Sequence, residues 1–168
     1  MRILGIDPGT ARLGYGVIDA DDDYAAVAYG TLVTPSDVPM ADRLLYIYQN
    51  LIDLLKSTEP AVVVIEQLFF SRNVTTALAV GQARGVAMLA AAQSGLDVVE
   101  YTPAEIKQAI SGYGNADKHQ VQAMVRILLN LDEIPRPDDA ADALAIAICH
   151  GQSAGFRDRV AAGDSQSG

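Results

Sequence analysis

The chain of 168 residues is long enough to bury one sizeable hydrophobic core, and half of its residues are hydrophobic, as in ordinary soluble globular proteins. Its formal net charge of −9 argues against tight non-specific binding to DNA. No signal peptide or membrane span is predicted, and Cys149, the single cysteine, excludes an internal disulfide and favours the cytoplasm. Cys149 is expected to be buried, whereas His119 and His150 are expected at the surface or at helix ends.

The chain opens with a short apolar run, residues 3–6, whose length suits a buried strand better than a helix. Pro8 and Gly9 end this strand, because proline has no N–H for a sheet ladder and glycine permits a sharp turn. Asp7 is therefore an ionisable group at the carboxyl end of a core strand. Taken alone, it is a turn aspartate that accepts backbone N–H groups. Pairing or a bound cation is the alternative, because a lone buried carboxylate is costly.

The next elements continue a sheet. Residues 13–18 and 25–33 are predicted as the second and third strands, and their short connections make antiparallel neighbours. A helical stripe of apolar residues predicts the first helix over residues 40–56. The β-branched run 61–65 predicts a strand that is covered on both faces and runs parallel to the first strand, because a helix precedes it.

The second half of the chain is predicted to be mainly helical. Asn73 can cap a long helix that reaches residue 93 and is closed by Gly95. A fifth strand and three further helices are predicted at residues 97–101, 103–110, 117–129 and 139–151. The order β-β-β-α-β-α-β-α-α-α predicts an α/β fold with a five-stranded mixed sheet flanked by helices. A single domain is expected over residues 1–156, followed by a disordered tail over 157–168.

Four carboxylates are expected to converge. Glu66 repeats the arrangement of Asp7, and the carboxyl ends of adjacent parallel strands meet at the sheet edge where α/β folds build their sites. Asp139 and Asp142 share one face of a last helix that is otherwise apolar. Close like charges raise one another's pKa values, and a pair of divalent cations relieves the repulsion. Oxygen ligands alone favour Mg²⁺ or Mn²⁺. A structural acid cluster is the alternative.

Four sequence blocks occur in one order along residues 2–150. They are Gly5-Ile-Asp-Pro-Gly-Thr10 with Gly14-Tyr-Gly-Val17, Ile65-Glu-Gln67 with Phe69, Gly81-Gln-Ala-Arg-Gly-Val-Ala87, and Asp139-Ala-Ala-Asp-Ala-Leu-Ala-Ile-Ala147. These blocks resemble the RuvC family of Holliday-junction resolvases. The resemblance implies an RNase H-like fold and a homodimer that cuts two opposing strands of a four-way DNA junction, with two Mg²⁺ or Mn²⁺ ions per active site. It also implies a place in DNA recombination and repair beside the RuvA–RuvB branch-migration complex, away from membranes.

Site residues follow from the resemblance, position by position. Its four acidic positions, which bind the metals and catalyse cleavage, fall on Asp7, Glu66, Asp139 and Asp142. Asp138 is an extra acid beside the matched pair, and it leaves open which aspartate leads the coordination.

The resemblance also implies DNA contacts by Phe69, Arg72, Lys107 and Lys118. An aromatic at Phe69 can stack on an unpaired base at the centre of a junction, with a core aromatic as the alternative. Arg72 stands where the family commonly has a lysine and can still reach a phosphate. For Lys107 and Lys118, ordinary solvated helix charge is the alternative.

Gly81 and Gly85 leave one face of the long helix nearly bare, which suits close packing on another helix. The resemblance favours a dimer interface there, and packing within the chain is the alternative. Three other functions stay open at this point. They are an actin-like ATPase, which needs two such domains in tandem, an RNase H-like nuclease for RNA or damaged DNA, and a non-catalytic junction-binding protein.

Overall fold

The computed structural model describes residues 1–21, 23–67 and 74–164, with side chains up to residue 155. The five strands are β1 (Arg2–Asp7), β2 (Arg12–Ala20), β3 (Tyr24–Val33), β4 (Val62–Glu66) and β5 (Asp97–Tyr101). The five helices are α1 (Met40–Thr58), α2 (Val74–Gln93), α3 (Pro103–Ser111), α4 (Lys118–Leu128) and α5 (Asp138–Asp164).

The strands form one mixed sheet in the order β3-β2-β1-β4-β5. The hairpins β1–β2 and β2–β3 are antiparallel, whereas β4 runs parallel to both β1 and β5. This arrangement confirms the predicted mixed sheet and the predicted direction of β4. It follows from connection length, since short turns join antiparallel strands and helices carry the chain between parallel ones.

Two hydrophobic cores lie on opposite faces of the sheet, because successive strand residues point to opposite sides. Ile3 packs with α3, α4 and α5, while its neighbour Leu4 packs with α1 and α2. Strand β4, which lies between β1 and β5, is buried on both faces, as its β-branched sequence predicts.

Helix α5 lies directly on the sheet, because glycines stand beneath it. A Cβ atom at Gly14 would lie 2.0 Å from the carbonyl oxygen of Asp139, and one at Gly5 would lie 2.1 Å from that of Ala143. A Cβ atom at Gly16 would lie 2.7 Å from the backbone nitrogen of Leu144 in the same helix. No side chain fits at such distances, so these glycines set the depth at which α5 packs.

Helix α5 is longer than the sequence pattern predicts, beginning at Asp138 and continuing past residue 151 to Asp164. Gly151 is therefore not a helix stop. A Cβ atom there would lie 3.1 Å from Ala20 and from Tyr24. Gly151 therefore lets α5 pack closely against the ends of β2 and β3. A glycine within a helix costs only about 1 kcal/mol relative to alanine, and packing offsets that cost.

The backbone of residues 157–164 is helical in the structure, whereas the disordered tail expected over residues 157–168 stays a prediction. Residues 165–168 and the predicted helix cap at Asn73 lie outside the described residues.

Helix α2 is, within the part of the chain that the structure describes, the one helix whose length and composition would suffice to cross a membrane. The sequence analysis predicts no membrane span, and length and composition alone are weak evidence for one. Ala83, Ala87 and Ala90 on one side of α2 are buried in the core beneath α1. The opposite side stays apolar yet open to solvent, with Leu78 63% and Leu89 59% exposed. Helix α2 thus packs in the core on one side, and on the other side Leu78, Gly85 and Leu89 form an exposed apolar row, the outer row of α2.

Candidate metal and nucleic-acid site

Strand register places Asp7 and Glu66 side by side at the carboxyl edge of the sheet. Ile6 pairs with Ile65 in the parallel ladder between β1 and β4, and the next residue of each strand is one of these two acids. Neighbouring strands lie about 4.8 Å apart, so the two carboxylates start from adjacent points of the backbone.

Helix α5 brings the other two acids to the same edge. Asp7 pairs with Gly14 across the β1–β2 hairpin, and the missing side chain of Gly14 lets the backbone of Asp139 lie over that pair. Asp142, almost one turn further along α5, lines a cavity together with Asp7 and Glu66. The absence of a side chain at Gly14 in β2 is therefore required for α5 to place its acids at this edge.

The cavity has a volume of about 340 Å³ and combines charged and apolar walls. Its charged lining consists of Asp7, Glu66, Asp142, Lys107 and Lys118. Its apolar lining consists of Pro103, Ile106, Val121, Ala145 and Ile146. Apolar walls around charged groups lower the local dielectric and strengthen every electrostatic interaction inside.

The acids disturb one another's ionisation. Burial, followed by the charges of Asp142, Glu66 and Asp139, raises the pKa of Asp7 to about 7. Burial and then Asp142 raise the pKa of Glu66, and Lys107 opposes this shift. Burial also raises the pKa of Asp142, although Lys118 acts in the opposite direction. Without a cation, burial and mutual repulsion therefore destabilise the ionised forms of these acids.

Lys118 approaches the acids from the first turn of α4. Asp117 caps this helix, because its side chain accepts a hydrogen bond of 2.9 Å from the Gln120 backbone N–H, which fixes where the next residue points. The Lys118 Nζ atom lies 3.0 Å from Oδ2 of Asp142 and 3.5 Å from Oδ2 of Asp138. Helix α4 thus delivers one positive charge to the acidic cluster.

Lys107 reaches the cavity from α3 and partly offsets the shift in the pKa of Glu66. A capping box between Thr102 and Glu105 starts this helix, with the Thr102 backbone N–H donating to Glu105 Oε2 at 2.7 Å. Both lysines that the sequence assigns to DNA therefore line the same cavity as three of the four acids.

The donor set suits a hard divalent cation, because it consists of carboxylate oxygens with no sulfur or imidazole among them. Within residues 1–21, 23–67 and 74–164, no three acidic, histidine or cysteine side chains already stand in an arrangement that holds an ion. Lys118 also occupies one oxygen of Asp142. An ion would therefore draw the carboxylates together and displace Lys118 from Asp142.

Two predicted site residues, Phe69 and Arg72, lie outside the described residues. The structure also corrects the expected surface or helix-end role of His150, which is buried with its Nδ1 atom 3.0 Å from the hydroxyl oxygen of Tyr101. Its apolar neighbours in α5 were the available signal. Cys149 is buried as predicted, and burial raises the pKa of its thiol to about 12.

The strand order, the helix that lies across β1 and β2, and the acids at the carboxyl edge of β1 and β4 define an RNase H-like nuclease fold. The family model described as crossover junction endodeoxyribonuclease RuvC matches residues 3–150. The chain belongs to this family.

Relatives extend the match along nearly the whole chain. The chain is 56% identical over 161 residues to the crossover junction endodeoxyribonuclease RuvC of Desulfitobacterium hafniense, covering 95% of this chain and 98% of that protein. It is 54% identical over 152 residues to the protein of the same name from Thermomicrobium roseum, covering 90% and 93%. The structure of Thermus thermophilus RuvC in complex with a Holliday junction substrate superposes with a TM-score of 0.88 at 37% identity, covering 92% and 94%.

Proposed function

We propose that this protein is a homodimeric endonuclease that resolves four-way (Holliday) DNA junctions by paired, symmetric, metal-dependent cleavage during recombination and repair. The observation that carries the proposal is the convergence of Asp7, Glu66, Asp139 and Asp142 on one edge of an RNase H-like sheet. Membership of the RuvC family, and likeness to a relative solved with a Holliday junction, support the substrate.

The four acids would hold two Mg²⁺ or Mn²⁺ ions. When bound, such ions supply an activated water and stabilise the leaving 3′ oxygen, which yields 5′-phosphate and 3′-hydroxyl ends. The pKa of Asp7 is raised to about 7, so a bound cation would stabilise the ionised form of this carboxylate. The described part of the cavity lining offers no Ser, Cys or His as a nucleophile, so water is the attacking group.

Lys107 and Lys118 supply positive charge to the cavity where a phosphate of the DNA backbone would enter. Phe69 is assigned to a base at the junction centre by its match to the family motif. Arg72 stands where the family commonly has a lysine and is assigned to a phosphate. The net charge of −9 does not oppose this role, because acids such as Asp19 and Asp21 pair with Arg2 and the amino terminus at the opposite end of β1.

The outer row of α2 supports a homodimer. A Cβ atom at Gly85 would meet nothing within 4 Å in the described part of the chain, so packing within the chain does not explain this glycine. Leu78 and Leu89 on the same helix are exposed apolar residues that a partner would cover. A two-fold dimer supplies two identical active sites for two symmetric incisions. The family also supports a cytoplasmic protein, free of membranes, that works with RuvA–RuvB.

The test compares cutting of a four-way junction, a linear duplex and an RNA–DNA hybrid, each with Mg²⁺ or Mn²⁺. We expect cutting of the junction alone, with ends that ligase seals directly. Preferential cutting of the hybrid would favour an RNase H-like nuclease of another substrate class. Junction binding without metal-dependent cutting would favour a non-catalytic junction-binding protein.

The matched variants are Asp7→Asn, Glu66→Gln, Asp139→Asn and Asp142→Asn. Each removes a metal ligand and one repulsive charge, so each should abolish cutting while junction binding stays equal or becomes tighter. Equal loss of binding in all four variants would contradict the assignment of these acids to catalysis.

A further inference from the structure

Lys118 is shared between two carboxylates that differ in their surroundings. Asp142 lines the cavity and belongs to the four acids of the site, whereas Asp138 does not line it and is more exposed. The Lys118 ammonium lies between them, 3.0 Å from an Asp142 oxygen and 3.5 Å from an Asp138 oxygen. Asp138 thus stands at the rim of the cavity, as a second acceptor for the same ammonium.

Asp138 is itself held in place. Its Oδ1 atom accepts a hydrogen bond of 3.0 Å from Nη1 of Arg136, while its Oδ2 atom faces Lys118. Lys118 and Arg136 both lie within ion-pair distance of the Asp138 carboxylate. Its two oxygens therefore face two different cations, and Asp138 is not among the residues that line the cavity.

A divalent cation and Lys118 compete for Asp142. Both need the same carboxylate oxygens, and a 2+ ion within a few ångströms of an ammonium repels it strongly in a cavity with apolar walls. Once the cation is bound, the ammonium must move to solvent or to another acceptor. Asp138 already lies within ion-pair distance, so Lys118 can stay at the rim without crossing the cavity.

We propose that Asp138 is a positioning residue that takes over Lys118 when a divalent cation binds at Asp142, keeping the ammonium at the mouth of the site. This inference rests on the proposed function, since it presumes cation binding by the four acids. It gives a role to the acid that the family motif does not include. Asp138 makes cation binding easier by offering Lys118 a second partner, and it does so only while Lys118 is present.

The experiment is a double-mutant cycle read by Mn²⁺ binding to the free protein, without DNA and without catalysis. Binding is measured from the loss of the free-ion electron paramagnetic resonance signal at pH 8. The four proteins are wild type, Asp138→Asn, Lys118→Met and the double variant. Exposed ion pairs are worth up to about 1 kcal/mol, or roughly fivefold in a binding constant. We expect Asp138→Asn to weaken Mn²⁺ binding about threefold more when Lys118 is present than when it is Met.

Glu133→Gln is the matched control. Glu133 is an exposed acid in the loop before α5, and its substitution removes the same unit of negative charge as Asp138→Asn. It should leave the cycle unchanged. Asp138→Ser replaces Asp138→Asn if the latter fails to fold, since serine also suits the start of a helix. Thermal unfolding of each variant separates a simple loss of helix stability from the coupling to Lys118.

Equal weakening by Asp138→Asn in both backgrounds would overturn the proposal, because Asp138 would then act by its own charge or as a direct ligand. Unchanged Mn²⁺ binding in Asp138→Asn would overturn it as well. A wild-type protein that binds Mn²⁺ and cuts junctions but shows an additive cycle defeats this inference alone. A wild-type protein that binds no Mn²⁺ defeats both this inference and the proposed function.

Discussion

The two helix-covered faces of the sheet use glycine in opposite ways. On the α5 face, a Cβ atom at Gly14 would collide with the backbone of Asp139 at 2.0 Å. On the α2 face, a Cβ atom at Gly85 meets nothing within 4 Å among the described residues, and the apolar Leu89 beside it is exposed. Glycine admits a helix of the same chain in the first region, and in the other it leaves an open surface, which we assign to a second molecule.

This difference separates two requirements of paired cleavage. The acids must be placed within one protomer to high accuracy, and the close contact of α5 with β1 and β2 does this. The two sites must also be held at a fixed separation, and the outer row of α2 is the surface we assign to that purpose. Substitutions at the two glycines should therefore damage different properties of the protein.

The largest effect is expected for Gly14→Ala. The added methyl group must push α5 away from the sheet, and overpacking of this kind costs about 1–3 kcal/mol of unfolding free energy or more. The shift also moves Asp139 relative to Asp7, and a displacement of about 1 Å in an active site can cost roughly a hundredfold in rate. Denaturant unfolding and junction cutting measure the two losses.

Gly85→Ala is the control for this prediction, because the same methyl group would contact no atom of its own chain within 4 Å among the described residues. We expect stability equal to wild type or higher by up to about 1 kcal/mol, since alanine favours a helix over glycine. If Gly14→Ala were as stable and as active as Gly85→Ala, the close approach of α5 would not matter for the site.

The next effect concerns pH and the acids on the α5 face. Asp7 has a pKa raised to about 7 in the folded protein, so the folded state binds a proton that the unfolded state has already released between about pH 4 and 7. The metal-free protein should therefore lose stability as pH rises through this window. Asp7→Asn should reduce this loss, part of which comes from the raised pKa values of Glu66 and Asp142, and should be more stable than wild type by about 2 kcal/mol at pH 8 but not at pH 4.

Urea unfolding in the presence of a chelator, repeated at pH 4, 6 and 8, measures this effect. Asp97→Asn provides a control for loss of one carboxylate, because Asp97 lies at the amino end of β5, at the opposite edge of the sheet. Parallel pH profiles for wild type and Asp7→Asn would contradict the electrostatic account of the acidic edge.

Gly85→Leu should weaken dimerisation through the outer row of α2. A leucine at the centre of the outer row of α2 prevents close approach of a partner, so we expect at least tenfold weaker dimerisation with a folded monomer. Sedimentation velocity over a range of protein concentrations measures the association, and circular dichroism checks the fold. A wild-type protein that is monomeric at micromolar concentration, yet makes both cuts in one binding event, would contradict the dimer.

The smallest effect is expected from the cavity lysines. Lys107→Ala should lower junction affinity a few-fold and reduce the slope of log affinity against log salt by roughly one unit, the loss of one phosphate contact. Lys56→Ala is the control, because Lys56 lies near the end of α1, beside Glu59 and Gln93 and away from the acids. Equal slopes for all three proteins would remove Lys107 from the DNA interface.

Much of the fold was predictable because local patterns govern it. The strand predicted at residues 97–101 is β5 (Asp97–Tyr101), and the helix predicted at 103–110 is α3 (Pro103–Ser111). The meeting of Asp7 with Glu66 also follows from the sequence, because it needs only two parallel strands that each end in an acid. Strand patterns and their short or helical connections contain enough information for this part of the site.

Other features depend on packing between distant segments, and no local pattern reveals them. Gly14 is essential to the position of Asp139 only because of the register between β1 and β2 and the depth of α5. The sharing of Lys118 between Asp138 and Asp142 depends on how α4 packs on α5. Gly151 resembles a helix stop in sequence, but α5 continues past it, and its missing side chain allows close packing against Ala20 and Tyr24.

A mixed dimer tests the central claim most directly, because it joins the acids of one face to the dimer surface of the other. Wild-type and Glu66→Gln chains carrying different affinity tags are co-expressed, and the heterodimer is purified and given a cruciform plasmid with Mg²⁺. One working site per dimer should convert the plasmid to a nicked circle, whereas the wild-type homodimer should produce linear DNA. Linear product from the heterodimer, at the rate of the wild type, would contradict the account.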